Sequence, residues 1–174
     1  MRSTVCRTVA AAIILMVFAA VPAGAQAPKG CGTLVGSLAA QVDREQGWVG
    51  QGYLAIDGAE PIAAELVDRP LGPPRTTAQG MWGTEELTFT QKGPGDVVLG
   101  TLVMRVDFLG MATPAPFMAQ YHATGKLTGS GIYADATGSV TIQGSAIADP
   151  MNVPPRVWPF VWMAEIHGSI CGVK

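Results

Sequence analysis

Residues 124–144 read TGKLTGSGIYADATGSVTIQG, and this stretch decides the fold. Glycines at five positions separate short β-branched and aromatic pieces. This pattern favours turns and bulges between strands and leaves no room for a helix of ordinary length. Val140 and Ile142 fall on one face of a strand, and Thr141 and Gln143 fall on the other, which is typical of a sheet with one buried face. The stretch therefore predicts a tight β-hairpin.

The centre of this hairpin is a glycine pair around Ser130. Gly129 and Gly131 permit a positive φ, which a residue with a side chain rarely adopts. We expect this freedom to bend the chain and to turn Ile132 and Tyr133 into the core.

The chain on both sides of the hairpin carries further short alternating segments, separated by proline-rich or glycine-rich connections. We expect two strands over residues 31–39 and 50–56 around a polar loop at 41–47, and a third from residue 62 that stops at Arg69-Pro70. A long strand or bent pair follows over 76–91, then a strand over 97–108 and a break at 110–116. Residues 117–123 lead into the hairpin, and a last strand covers 160–171. About eight short strands without a helix predict an all-β fold, a single closed antiparallel barrel. A two-sheet sandwich is the alternative, because edges can be protected in either architecture.

The segment from Thr128 to Ile142 resembles the Gly-Ser/Thr-Gly-aromatic segment of the allene oxide cyclase and dirigent barrel proteins, which small secreted bacterial barrels also carry. Residues 84–90 with the strand 97–108 resemble the middle hairpin of those barrels. The resemblance covers roughly residues 80–170 and implies the closed barrel. It also implies an enzyme that guides cyclisation or coupling of an apolar intermediate. The polar groups that organise the reaction in that family are not matched in the early strands, 33–38 and 52–56.

Residues 1–25 have the three parts of a secretory signal peptide. Arg2 and Arg7 supply a basic start, residues 9–21 form an apolar core, and Ala23-Gly24-Ala25 is a small-residue cleavage site. We predict cleavage after Ala25, a β-barrel domain over residues 26–174, and a secreted or periplasmic location. The apolar run is too short for a membrane span, so no membrane partner is expected after cleavage.

Net charge narrows the class of partner. Without Arg2 and Arg7, nine Lys and Arg face thirteen Asp and Glu, a charge of about −4 at neutral pH. That sign argues against nucleic acid or an anionic membrane surface as a partner. The expected partner is a small apolar molecule, and the oligomeric state is not predicted.

Two cysteines remain after the signal peptide, Cys31 and Cys171, one near each end of the domain. In an exported protein such a pair predicts a disulfide, which would join the two ends as barrel closure requires. The sequence has no nucleophile elbow, phosphate loop or His/Cys cluster with metal spacing. We therefore expect no cofactor and no metal.

Three residues are candidates for acid–base chemistry. Glu85 alternates with Leu87 and Phe89, and a carboxyl group held against apolar walls would have a raised pKa that suits proton transfer. A slip of one residue in strand register would exchange it for Glu86. Glu165 and His167 share one face of the last strand, where a carboxylate could orient an imidazole. The alternative is that this pair is the solvated half of an alternating strand.

Large apolar side chains are the candidates for contacting a ligand, because barrel interiors and mouths hold apolar molecules. The predicted ligand-binding residues are Trp82, Phe89, Met104, Tyr133 and Trp162. Ordinary core packing is the alternative role for each of them.

Two functions are compatible with these observations. The first is an exported, non-catalytic barrel that binds a small apolar molecule or a partner. The second, implied by the resemblance, is a cyclase-like or dirigent-like enzyme that guides an apolar intermediate. The first predicts a cavity lined by aromatic and methionine side chains, and the second predicts an acid or base that faces the cavity.

Overall fold

A computed structural model of the 174-residue chain describes residues 30–43, 46–77, 80–113, 118–148 and 160–173. The expected signal peptide lies outside these residues. The described chain is all-β, with one short 3-10 turn at Pro94–Asp96. Its strands are β1 (Cys31–Asp43), β2 (Gly47–Ile56), β3 (Ile62–Pro70), β4 (Arg75–Thr77), β5 (Gly80–Lys92), β6 (Val98–Ala112), β7 (Met118–Gly131), β8 (Thr137–Ala148) and β9 (Phe160–Cys171).

Eight of these strands close into an antiparallel barrel, which confirms the predicted fold class. The hydrogen-bonded order is β3-β2-β1-β9-β8-β7-β6-β5-β4, and an additional β3–β5 pairing joins the two sides of the sheet. Glu65 to Pro70 of β3 face Thr90 to Glu85 of β5 in that closing pair. β4 is an extra strand that pairs with the first residues of β5, where β3 no longer does.

Every second side chain of each strand points into the interior and fills it, as the sequence alternation predicted. On β6, Leu102, Met104 and Val106 are buried, and on β9 Ala164 and Ile166 are buried. These side chains belong to one continuous apolar core that extends over all eight barrel strands. The core buries the inward half of each strand, which stabilises a small barrel, while the outward half carries both polar side chains and exposed apolar ones such as Val35 and Val161.

The hairpin that decides the fold is formed by β7 and β8. Gly131 has φ +63°, and a Cβ there would lie 2.4 Å from the carbonyl oxygen of Leu99, so a side chain is excluded on both counts. Tyr133 turns into the core, and its hydroxyl donates a hydrogen bond to Gln91 Oε1. The expectation for Ile132 is wrong, because its side chain is 59% exposed. The turn is so tight that only one of two successive residues can point inward.

Several strands are longer than their sequence patterns indicated. β1 runs to Asp43 and β2 begins at Gly47, so most of the polar segment expected to be a loop is strand. β6 continues to Ala112, past the expected break at residue 110. Residues 76–91 form the bent pair that was one of two expectations, as β4 and β5. The added residues pair in regular ladders at the barrel ends, where the outward side chains include apolar ones such as Val42 and Leu109 and the alternation is therefore weak.

Cys31 and Cys171 are directly opposite each other in the β1–β9 ladder and form the predicted disulfide, with their Cα atoms 4.0 Å apart. A disulfide of this kind persists in an oxidising compartment. In the described ranges, no helix is long and apolar enough to cross a membrane.

Candidate functional site

The two ends of the barrel differ in chemistry. At one end β1, β3, β6 and β8 finish and β2, β5, β7 and β9 begin, and there the interior changes from aliphatic to acidic and aromatic. We call this region the acid–aromatic end; it comprises Trp48, Asp68, Glu85, Phe108, Tyr121 and Trp162. Each of these residues comes from a different strand, so only the closed barrel brings them together.

Strand alternation explains why two carboxyl groups point inward. Asp68 follows Ala64 and Leu66 on the inner face of β3, and Glu85 precedes Leu87 and Phe89 on the inner face of β5. Asp68 is 2% exposed and Glu85 is 7% exposed. The observed register therefore places Glu85 inside and Glu86 outside. Buried carboxyl groups are rare without a partner, so the pair indicates a specialised region.

Burial controls the protonation of both acids. The pKa of Glu85 is raised to about 9, mainly by desolvation and to a smaller extent by the negative charge of the nearby Asp68. Desolvation also raises the pKa of Asp68 to about 7. Tyr121 donates a hydrogen bond from its hydroxyl to Glu85 Oε1. At neutral pH the protonated Glu85 therefore holds a proton that it can donate, in mostly apolar surroundings.

Four aromatic rings form a connected set at the same end of the barrel. Trp162 meets Trp48 edge to face at a centroid distance of 6.1 Å and meets Tyr121 at 4.8 Å. Phe108 stacks on Tyr121 at a centroid distance of 5.9 Å. Trp48 is also the ladder neighbour of Asp68 across the β2–β3 pair. The ring chain thus begins beside Asp68 and passes the tyrosine that binds Glu85.

Two buried polar atoms at this end have no hydrogen-bond partner among the described residues. They are Asp68 Oδ1 and Trp162 Nε1, an oxygen and an N–H donor. Trp162 is 3% exposed, so solvent does not reach it freely. A buried polar group without a partner costs about 1–3 kcal/mol, and native proteins rarely leave one unsatisfied. The two atoms mark where a further polar group would be stabilised.

The structure places the five predicted ligand-binding residues in four different parts of the barrel. Trp162 belongs to the acid–aromatic end. Phe89 and Met104 lie in the packed core, and Tyr133 closes the opposite end of the barrel. Trp82 lies on the outer face, 39% exposed. A cavity of about 10 Å³ beside Phe89 and Tyr133 holds at most one water molecule, so the middle of the barrel is filled.

Glu165 and His167 lie on the outer face of β9. Glu165 Oε2 is 3.5 Å from His167 Nε2, and the two side chains are 63% and 33% exposed. Their ladder neighbours on β8 are Gln143 and Thr141, also on the outside. The structure therefore separates this pair from the interior carboxyl groups.

An open groove of about 590 Å³ lies beside β1, β2 and β3 and reaches Val161 of β9. None of the six residues of the acid–aromatic end lines it. It has no buried polar atom of the kind found inside the barrel. We therefore place the candidate site at the acid–aromatic end and not in this larger depression.

Sequence reasoning did not select Asp68 or Tyr121. The signal for Asp68 was its place two residues after Leu66, on the same face as Ile62 and Ala64, but it directly precedes the Arg69-Pro70 stop of the expected strand. Tyr121 lies on the same inward face of β7 as Ala123 and Leu127. Extending the β3 alternation by one inward residue would have found Asp68, whereas Tyr121 already lay on the apolar face of the strand expected at 117–123.

In the described part of the chain, no three His, Cys, Asp or Glu side chains are grouped closely enough to hold a metal ion. The acid pair can instead bind or transfer a proton, and the rings can contact a flat or cationic apolar body.

Fold and site together define a small closed antiparallel barrel with a buried acidic pair and a chain of aromatic rings at one end. Comparisons with protein-family models, curated proteins and solved structures found no match to this chain. The resemblance to the allene oxide cyclase and dirigent barrels therefore stays a prediction.

Proposed function

We propose that this protein is an exported barrel that binds a small, largely apolar molecule at its acid–aromatic end. One observation carries the proposal: Asp68 Oδ1 and Trp162 Nε1 are buried and unpartnered within the described residues, beside aromatic rings. A ligand with one polar group and an apolar body would pair with these atoms and cover the rings. Apolar sites with a few well-placed polar groups are typical of small-molecule binding.

Export is supported by two independent features. The first 25 residues have the composition of a signal peptide, and Cys31 and Cys171 form a disulfide that an oxidising compartment preserves. The ligand would then be one that the protein meets outside the cytoplasm.

Native mass spectrometry of the purified exported protein, followed by titration with 2-naphthol, tests the binding proposal. We expect a retained small molecule, or saturable quenching of tryptophan fluorescence by 2-naphthol. Trp162→Phe should weaken the binding at least tenfold, since it removes the unpartnered N–H. Trp82→Phe is the matched control, because Trp82 lies on the outer face. An empty protein with linear, non-saturable quenching would refute the proposal.

The second candidate is an enzyme of the cyclase-like or dirigent-like kind, and the raised pKa of Glu85 favours it. A carboxylic acid that stays protonated at pH 7 can protonate an oxygen atom of an apolar substrate. Glu165 and His167 support this candidate less well, because both are on the solvated face.

An acid-labile probe separates the two candidates. An enzyme would accelerate opening of styrene oxide at pH 7, and Glu85→Gln would remove the acceleration without removing binding. Glu165→Gln should leave the rate unchanged. If the wild-type protein gives only the uncatalysed rate, the binding function alone remains.

A further inference from the structure

The two acids of the acid–aromatic end have no basic partner in the described part of the chain. The ion pairs there join surface residues: Lys92 with Glu65, Arg105 with Glu86, and His167 with Glu165. None of these pairs includes Asp68 or Glu85. The inward-facing titratable neighbours of Glu85 are Asp68 on β3 and Tyr121 on β7, and neither can carry a positive charge.

The region thus combines two features that attract cations. Carboxylates provide negative charge, and the faces of tryptophan and tyrosine rings carry negative electrostatic potential. Trp48, Trp162 and Tyr121 form a connected set of rings, and Trp48 is the ladder neighbour of Asp68. A site for a neutral ligand would need neither acid, whereas a bound cation would stabilise both an ionised carboxyl group and the ring contacts.

Asp68 provides a separate observation that points to a ligand. Its side chain is 2% exposed, and Oδ1 has no partner within the described residues. An ammonium group donates hydrogen bonds and carries the charge that the two acids lack. A neutral hydroxyl group would satisfy Oδ1 but would leave the charge of an ionised Asp68 uncompensated.

We propose that the ligand of this site is a primary ammonium ion attached to an aromatic body, with its nitrogen donating to Asp68 Oδ1 and its aromatic face accepting from the Trp162 Nε1–H. The inference rests on the proposed binding function and names the ligand class for the same site. On binding, one N–H···O bond forms and one carboxyl group loses its proton to solvent. The site then holds one positive and one negative charge, with the second acid still protonated.

Proton release makes the inference measurable. Below pH 7 both acids are protonated in the free protein, so binding of an ammonium ion should release one proton. The association constant should therefore rise about tenfold per pH unit from pH 5 to pH 7 and level off above that range. The sign follows because removing the carboxyl proton becomes easier as pH rises. Binding of a neutral molecule should show neither the release nor this slope.

Isothermal titration calorimetry of the full exported protein with 2-phenylethylamine tests the inference, at pH 6 in two buffers of different ionisation enthalpy. We expect release of about one proton per bound amine, and affinity at least tenfold above that of the neutral isostere 2-phenylethanol. Asp68→Asn should abolish the release and weaken amine binding at least tenfold, whereas Glu165→Gln, on the outer face, should change neither. Circular dichroism would establish that each variant is folded.

Two outcomes decide between the possibilities. If 2-phenylethanol binds as tightly as the amine and no proton is released, the ammonium inference is wrong while the binding function stands. If neither compound binds and 2-naphthol also fails, the binding function itself fails, and this inference with it.

Discussion

Tyr121 on β7 and Glu85 on β5 are joined by a hydrogen bond across the interior, although β6 separates their strands in the sheet. The bond is possible because the barrel curves, so that side chains of next-but-one strands approach each other inside. It gives the buried Glu85 carboxyl group a protein donor. Its partner Asp68 has an oxygen that the described residues leave unpaired.

Replacing Tyr121 with Phe should destabilise the protein by about 1–2 kcal/mol, since the ring contacts remain but the donor to a buried carboxyl group is lost. Urea unfolding at pH 7 measures this difference. Tyr53→Phe is the matched control: Tyr53 is 49% exposed on the outer face, and its loss should cost less than about 0.5 kcal/mol. Equal effects of the two changes would contradict the assigned role of Tyr121.

The stability of the fold should decrease as pH rises from about 5 to about 9. The pKa of Glu85 rises from 4.5 to about 9, and that of Asp68 rises from 3.8 to about 7, on folding. Between those values the folded state binds more protons than the unfolded state, so the free energy of unfolding falls with pH. Each group contributes at most about 1.4 kcal/mol per pH unit. The contribution is complete below the unfolded pKa and is lost above the folded pKa.

Glu85→Gln isolates this effect. The variant should match the wild type near pH 4 and be the more stable protein near pH 9, by roughly 2 kcal/mol or more. Thermal or urea unfolding over that pH range measures the difference. Glu165→Gln removes an exposed carboxyl group and should give a curve parallel to the wild type. Parallel curves for Glu85→Gln as well would show that Glu85 is not desolvated.

The disulfide should contribute a large part of the stability. Cys31 and Cys171 are 140 residues apart in sequence, and in the chain-entropy view a loop of that length contributes roughly 5 kcal/mol. The double variant Cys31→Ser with Cys171→Ser should therefore unfold at a much lower urea concentration. Unfolding of the wild type with and without reductant gives an independent measurement. No shift in either experiment would show that the ladders alone close the barrel.

Gly125 occupies a position where the neighbouring strand approaches closely. A Cβ there would lie 1.9 Å from the carbonyl oxygen of Arg105, and backbone atoms cannot move aside as a flexible side chain would. Gly125→Ala should cost about 2 kcal/mol or more through displacement of β6. Gly72→Ala is the control, because nothing lies within 4 Å of its added Cβ. Denaturant unfolding of both variants measures the contrast.

Most of the fold could be predicted from local pattern. The alternation in 137–148 and 160–171 fixed which side chains face inward, so Val140, Ile142 and Trp162 were placed correctly. The barrel, in preference to a sandwich, depends on the β3–β5 pairing, which is a long-range contact that local alternation does not encode. The resemblance to known barrels favoured the right architecture before that contact was seen.

The site was predicted only in part. Glu85 was selected because apolar neighbours flank it on a regular strand, and its burial is what that pattern indicates. Asp68 lies near the proline that ends its strand, where alternation is short and a surface position is the ordinary interpretation. Asp68 becomes part of the site only because closure of the barrel brings β3 beside β5. The approach of Asp68 to Glu85 is thus a property of the topology and not of either segment.

β4 is a short strand hydrogen-bonded on one side to β5, and Pro73 and Pro74 precede it. In the described part of the sheet β4 is the edge strand, since the other strands have neighbours on both sides. Strand addition by another polypeptide therefore has only three residues to pair with, next to prolines that lack an amide hydrogen. This arrangement disfavours fibre-like growth through unpaired backbone, even though several valine and isoleucine side chains are exposed.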